Sequence, residues 1–398
     1  MQSRMAGTEF GLGWKSSDTV HTDRLYCPRL DFWRDILPGT LAARLEAAPV
    51  GAVESEAFAA GELVPAFREA DVRQIRDGDF QRQSGGVPVE PRVGRFYPRG
   101  MIAGVAGIFP GEFRPFRVLA ADGRHLTVDL NHPLARFPLM LTATIVEDLP
   151  PRDQRGGSCN DIAEMVAQKG PGLQATHPEV RTDFFHEYPF RRLDDNPDTV
   201  FYQMPRLVEH VDAVAMREIG RIYGRLLKPG ARVLDLMSSW VSHLPEDLPL
   251  TVSGLGLNEE ELATNPRLAD YELHDLNRQS RLPHGDSAFD AVICTNSVEY
   301  LTQPLEVFRD VARVLRPGGL FINCFSERWF PPKVISVWTE IHPFERMGLV
   351  LEALRRTETY RDLHSESVRG YLRPDDDKYR GMTPNADPVY AVWAVKAA

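Results

Sequence analysis

In the second half of this chain, acidic, amide and small polar residues recur directly after short apolar runs. "ARVLDLM" carries Asp235 and opens into Met237-Ser238-Ser239-Trp240. "LTVSGLGL" (250–257) ends on Gly256-Leu257 and is followed by Asn258. "YELHDL" (271–276) carries Asp275 and Leu276, and "FDAVICTNS" (289–297) carries Thr295 and Asn296, with Tyr300 just beyond. Carboxylates accept from ammonium, amino and hydroxyl groups, amides both donate and accept, and small residues let a ligand approach backbone. These residue types suit holding a polar ligand. No catalytic triad or metal cluster is apparent: the cysteines are Cys27, Cys159, Cys294 and Cys324, and none forms a C-x-x-C pair. Cys294 and Cys324 lie in apolar runs and read as buried thiols; Cys159, in "RGGSCND", reads as a bystander or a reactive thiol.

The elements that must position these residues are strands alternating with helices. "VDAVAMREIGRIYGRLLKPG" has apolar residues at 211, 214, 215, 219, 222, 223 and 226, a helical spacing that Lys228-Pro229-Gly230 stops. "PLEVFRDVARVL" and "PFERMGLVLEALRRT" read as further helices. Arg316-Pro317-Gly318-Gly319 ends the first of these, and "LFINCFS" reads as a fifth strand. "SESVRGYL" and "VYAVWAVKA" read as closing strands. Such alternation predicts a parallel sheet with helices on both faces. Ligands bind such sheets at the carboxyl ends of the strands, where the polar residues stand.

This ordered series, "VLDL", "GLGLNEEEL", "HDLNRQSRLPHGDSAFDAVICTNSVEYL" and "RVLRPGGLFI", resembles the class I S-adenosylmethionine (SAM)-dependent methyltransferases of the type 11 group, over roughly 201–398. The resemblance implies an α/β Rossmann-like fold, a seven-stranded sheet ending in an antiparallel hairpin, and SAM as cofactor. It puts Asp235, Met237, Ser238, Ser239, Leu257, Asn258, Asp275, Leu276 and Asn296 at the cofactor. Asp235 would orient the amino group. Ser238 and Ser239 stand in the family's glycine region, where their hydroxyls are expected to meet the cofactor's carboxylate. Trp240 either walls the substrate side or packs on a following helix. The family's ribose acid is replaced by Gly256. Asn258 is either a ribose contact, the cap of the helix beginning "EEEL", or both. Asp275-Leu276-Asn277 matches the adenine contact. Phe201, Tyr202, Arg206 and His210 are lid or substrate candidates, with core packing the other reading of the aromatic pair. Tyr300 stands in the segment that faces cofactor and acceptor in the family, and His243 is either a further candidate base or a structural histidine. The acceptor is a small molecule or a protein.

Residues 1–150 read as strand-rich. "FRVLAADGRHLTVDL" is a hairpin turning at Asp122-Gly123, and "LMLTATIVEDL" (139–149) is a strand. "DLNHPLARFPLMLTATIVEDL" and "DILPGTLAARLEAAPVGAVESEAF" (35–58) resemble the SlyD-like group of FKBP-type peptidyl-prolyl isomerases. The resemblance implies a β-rich α+β domain with an inserted flap that binds unfolded chains. The isomerase's aromatic cage is not recognisable in Phe10, Trp14, Phe32 and Trp33. A linker and lid segment is expected over 151–200, with "PPRDQRGGSCND" (150–161) at its start and a short helix at "DIAEMVAQKG".

The formal net charge of −10 disfavours non-specific binding to nucleic acid or anionic membrane. No signal-peptide core and no run near ~20 apolar residues is present. The expectation is a cytoplasmic protein with no metal, no nucleic-acid partner and no membrane partner. Three functions stay open: a methyltransferase with an accessory domain, an isomerase or chaperone on a non-catalytic methyltransferase scaffold, and a SAM-binding pseudo-enzyme.

Overall fold

The computed structural model describes residues 4–84, 86–150 and 157–397. Residues 151–156, the beginning of the expected linker, lie outside the described residues. The chain divides into two compact units, Met1–Glu187 with Glu340–Gly348, and Tyr188–Thr339 with Leu349–Ala398.

The first unit begins with β1 (Met5–Lys15) and β2 (Thr19–Asp31), then α1 (Leu41–Ala47) and β3 (Val53–Phe58). It closes with β10 (Leu139–Leu149) and the short helix α2 (Ile162–Ala167), capped by Asp161. The strands β2, β1, β10 and β3 pair antiparallel in that order. Phe10, Leu12, Trp14, Leu41, Leu141 and Ile162 pack together as its core. Between β3 and β10 lies an insert: β4 (Val72–Arg76), β5 (Gln83–Ser84), β6 (Val87–Pro88), β7 (Phe96–Pro98), β8 (Pro115–Ala121) and β9 (His125–Asp129). Its sheet runs β4-β9-β8-β7 over a separate core of Phe80, Tyr97, Phe116 and Leu126. The predicted hairpin is β8–β9, and Gly123 takes the left-handed conformation (φ 82°) that its turn requires. Phe10 and Trp14 lie in the core while Trp33 is on the surface, so these aromatics form no cage.

The second unit holds α3 (Asp198–Phe201), α4 (Ala213–Leu226), β11 (Arg232–Leu236), β12 (Thr251–Gly256), α5 (Glu259–Thr264) and β13 (Asp270–Leu273). It continues with β14 (Phe289–Thr295), α6 (Pro304–Val314), β15 (Leu315–Phe325), α7 (Ser336–Glu340), α8 (Pro343–Thr357), β16 (Tyr360–Arg369) and β17 (Val389–Lys396), except that Glu340 and the first part of α8, to Gly348, belong to the first unit. Within the unit the strand order is β13-β12-β11-β14-β15-β17-β16. The first five strands are parallel, and β17 is antiparallel to both its neighbours. This is the Rossmann-like sheet with a terminal hairpin that the sequence implies.

Apolar spacing explains α4: Ala215, Ile219, Ile222 and Tyr223 are buried against β11, β14 and β15 residues. Burial of each large side chain stabilises the fold by about 1.5–3 kcal/mol, so Ile219→Ala would break this face first. Asp212 caps the helix by accepting from the Ala215 N–H at 2.9 Å, and Gly230 (φ 80°) turns the chain into β11. The Arg316–Gly319 turn does not precede the fifth strand as expected but lies inside it. Leu315 already pairs with Phe289, and the register shifts before Leu320 pairs with Ala291. Gly318 (φ 77°) makes this excursion feasible. No helix among the described residues is long and apolar enough to cross a membrane.

Candidate functional site

Strand order reverses beside β11, and the ends of β11, β12 and β14 open there into a cavity of about 1140 Å³, part of it open to solvent. Every residue singled out above for cofactor, substrate or lid lines this one cavity, from Tyr202 through Asp235 to Tyr300, except Phe201. Phe201 lies behind the wall, edge-on to Tyr202 at 4.9 Å.

Asp235, next to last in β11, is fully buried, and burial pushes its carboxyl up to about 6 against the pull of two serine hydroxyls. Ser238 Oγ donates to its Oδ2 at 2.6 Å and Ser242 Oγ at 2.7 Å. Ser239 Oγ donates to Glu261 Oε2 at 2.7 Å. Both serine protons of the altered loop are therefore committed to protein carboxylates, and the contact expected from them to a ligand carboxylate is not formed by those protons. The left-handed turn falls not on a serine but on Met237 (φ 59°). It is held by the Ser238 N–H donating to Leu255 O at 2.8 Å.

Residues 237–250 contain no helix. Pro245 and Pro249 break the run, and Ser242 spends its hydroxyl on Asp235 and not on a helical cap. A following helix, one of the two settings expected for Trp240, is thus absent. The Trp240 indole N–H instead donates to Val208 O at 3.2 Å, across the cavity mouth. His243 sits in a left-handed backbone conformation (φ 54°).

At the end of β12, Gly256 leaves no room for an acid. A Cβ there would lie 2.4 Å from Ser238 O. Asn258 caps α5, its Oδ1 accepting from the Glu261 N–H at 3.1 Å. Its amide N–H groups donate to Tyr202 O at 2.9 Å and Gln203 O at 3.1 Å, so the side chain holds backbone on both sides. After β13, Asp275 Oδ1 accepts from the Asn277 and Arg278 N–H groups at 3.0 and 3.3 Å, which shapes the turn. Leu276 is buried, and Asn296 is a third left-handed residue (φ 47°).

A largely buried ion network secures the segment around Asp198. Arg192 Nη1 donates to both Asp198 oxygens at 2.9 Å, and fully buried Lys333 lies 3.2 Å from Asp198 and 3.1 Å from Asp194. Asn277 Nδ2 donates to Asp198 Oδ2 at 2.8 Å and to Tyr300 O at 2.9 Å, joining α3 to the loop after β13. Above this, Tyr202, Tyr300 and His210 ring Phe330, with centroids 6.2, 6.0 and 5.3 Å away. Burial raises both phenols and lowers both histidines, His243 to about 4 with His210 adding to the effect.

Phe330, Glu261 and Asp198 are site residues that the sequence reading missed. Phe330 follows the fifth strand in "SERWFPP", where the strand-end rule points directly. Asp198 and Glu261 carry no local signal, because their roles arise from partners distant in sequence.

Cofactor fit can be judged from this geometry. Asp235 and the Asp275 turn provide acceptors at the ends of β11 and β13, and the cavity runs between them. The ribose acid is sterically excluded at Gly256. The carboxylates that remain suit a ligand bearing an ammonium group and an amino-substituted ring.

Residues 240–323 match the family described as "Methyltransferase domain". The chain is 25% identical over 175 residues to the ubiquinone/menaquinone biosynthesis C-methyltransferase UbiE of Laribacter hongkongensis, covering 39% of this chain and 66% of that one. It is 27% identical over 135 residues to the methyltransferase GfsG of Streptomyces halstedii, covering 31% and 49%. The chain thus spans about half to two thirds of the length of these relatives. Among solved structures, the [4+2]-cyclase SpnF is 15% identical with a TM-score of 0.34, over 50% of this chain and 92% of that one. A SAM-dependent methyltransferase from Mesorhizobium loti is 18% identical with a TM-score of 0.30, over 46% and 99%.

Proposed function

We propose that the second unit, a class I methyltransferase domain whose cofactor is S-adenosyl-L-methionine, transfers a methyl group to a small-molecule or protein acceptor. The observation that carries this reading is the convergence of Asp235, Asp275 and Asn296 on one cavity at the strand ends. Asp235 would hold the cofactor's ammonium group, with the Asp275-Leu276 turn at its adenine. When bound, the cofactor supplies an activated methyl group, and alignment is the main demand on the protein.

The chain's own residues meet that demand in three ways. The lid, pinned through Asp198 and Asn258, limits water at the cavity. The Phe330 cluster with Trp240 shapes the acceptor side. His210, kept neutral by burial, is placed to take a proton from an acceptor that must lose one. Calorimetry with SAM and S-adenosylhomocysteine tests the reading. Micromolar binding by the full chain, lost in Asp235→Ala, is expected; binding of neither ligand would refute it.

For the first unit we propose an FKBP-like docking domain without isomerase activity. The helix-to-strand order of α1 and β3, the inserted lobe and the closing strand β10 support this. The core positions of Phe10 and Trp14 argue against a catalytic cage. A prolyl-isomerisation assay on the full chain is expected to show no catalysis, and measurable turnover would overturn the docking assignment.

A further inference from the structure

We infer that Arg206 is the residue that takes the carboxylate of the cofactor's methionine portion, an inference that rests on the methyltransferase reading. Such a carboxylate needs donors, and in this fold a glycine loop and the helix after it would ordinarily offer backbone N–H groups and a positive helix end. The helix end is absent, and the first amide of the loop is already engaged. Residues 237–250 form no helix, and the Ser238 N–H is spent on Leu255 O. The hydroxyl protons of Ser238, Ser239 and Ser242 all go to carboxylates.

The charge balance of the cavity points the same way. Its described lining includes the carboxylates of Asp198, Glu209, Asp235, Glu261 and Asp275, but only Arg206 among lysines and arginines. Asp198 is already matched by Arg192 and Lys333. Arg206 forms no ion pair among the described residues. Its Nη2 donates to Phe201 O at 2.9 Å, while its Nη1 is buried with no hydrogen-bond partner. The guanidinium lies 4.5 Å over Phe201 and 5.2 Å from the Phe330 centroid, so aromatic faces hold it in place without neutralising it. A lone guanidinium at a partly buried site is stabilised by an incoming carboxylate, which supplies a charge-assisted bond and the missing counter-charge. The Arg206 backbone is itself fixed, its N–H donating to Glu261 Oε1 at 2.7 Å.

The test is calorimetry on the full chain, comparing S-adenosylhomocysteine with its decarboxylated counterpart, for wild type, Arg206→Met and Arg206→Lys. The wild type should prefer the carboxylate-bearing ligand. Arg206→Met should weaken that ligand roughly 10- to 100-fold, the range of a lost charged hydrogen bond, and leave the decarboxylated one nearly unchanged. Arg206→Lys, which keeps charge but not the planar fork, should fall between. Equal weakening of both ligands by Arg206→Met would reduce Arg206 to lid packing and overturn the inference. An unchanged affinity for S-adenosylhomocysteine would overturn it too, and would leave the guanidinium to an acidic acceptor. Failure of the wild type to bind either ligand would remove the methyltransferase reading along with it, whereas the two preceding outcomes leave that reading intact.

Discussion

At the scale of single residues, the site is defined as much by what cannot be there as by what is. Restoring the missing ribose acid as Gly256→Asp places a Cβ 2.4 Å from Ser238 O, a backbone atom that cannot step aside cheaply. The variant should lose roughly 2 kcal/mol or more in denaturant unfolding and bind S-adenosylhomocysteine no more tightly. Asp235 makes a second prediction. Burial raises its carboxyl to about 6 in the folded protein, above the ordinary value near 4 that it regains on unfolding. Its contribution to stability is therefore full below about pH 4 and is lost as pH rises through about 6. Asp235→Asn should match the wild type near pH 4 and exceed it at pH 8, by on the order of 2 kcal/mol in urea titrations, while binding the cofactor less well. Sequence pattern identified Asp235 but not which neighbour bends the chain: serines stand in the glycine region, yet Met237 takes φ 59°. The choice was made by the Ser238 N–H reaching Leu255, a contact between strands that no local spacing reports.

At the scale of elements, the segment proposed as a lid depends on charges packed against it. Lys333→Met leaves Asp194 and Asp198 short of a cation at a buried site, and breaking such a pair costs about 3–5 kcal/mol. Hydrogen exchange across 194–210 should accelerate in this variant before exchange in β11 or β14 changes. Burial alone would raise Asp198, but Arg192, Asn277 and Lys333 outweigh it and hold the carboxyl below its usual range. That stabilisation is present above the ordinary aspartate value and is lost as pH falls through the lowered one. Lid protection in the wild type should accordingly fade in acid, below about pH 4. The elements themselves were largely legible. Alternating runs and caps mark the strands and α4, α6 and α8, because burial on a sheet face imposes its period on the sequence. The lid's attachment was not legible. Lys333, Asn277 and Asp198 lie far apart along the chain, and only the fold brings them together.

At the scale of the whole molecule, the chain leaves the second unit at Glu340 and returns at Leu349. Within the first unit, this excursion brings Glu345 Oε1 to the Phe96 N–H at 3.0 Å and seats Phe344 against Gly170, where any side chain would collide. A fragment ending at residue 187 lacks both. It should unfold at lower denaturant than the same unit in the full chain, by roughly 2–4 kcal/mol. The helix-free stretch 237–250 has a consequence for the order in which the protein assembles. Parallel strands ordinarily wait for a long crossover to fold, but β11 and β12 are tethered near the minimum length that permits pairing. Closing so short a loop forfeits little chain entropy. This pair is expected to form in the folding transition state, so Val252→Ala should slow refolding more than it speeds unfolding, as stopped-flow chevrons would record. The loop that gave up its helix at the cofactor site would then serve as the early staple of the sheet.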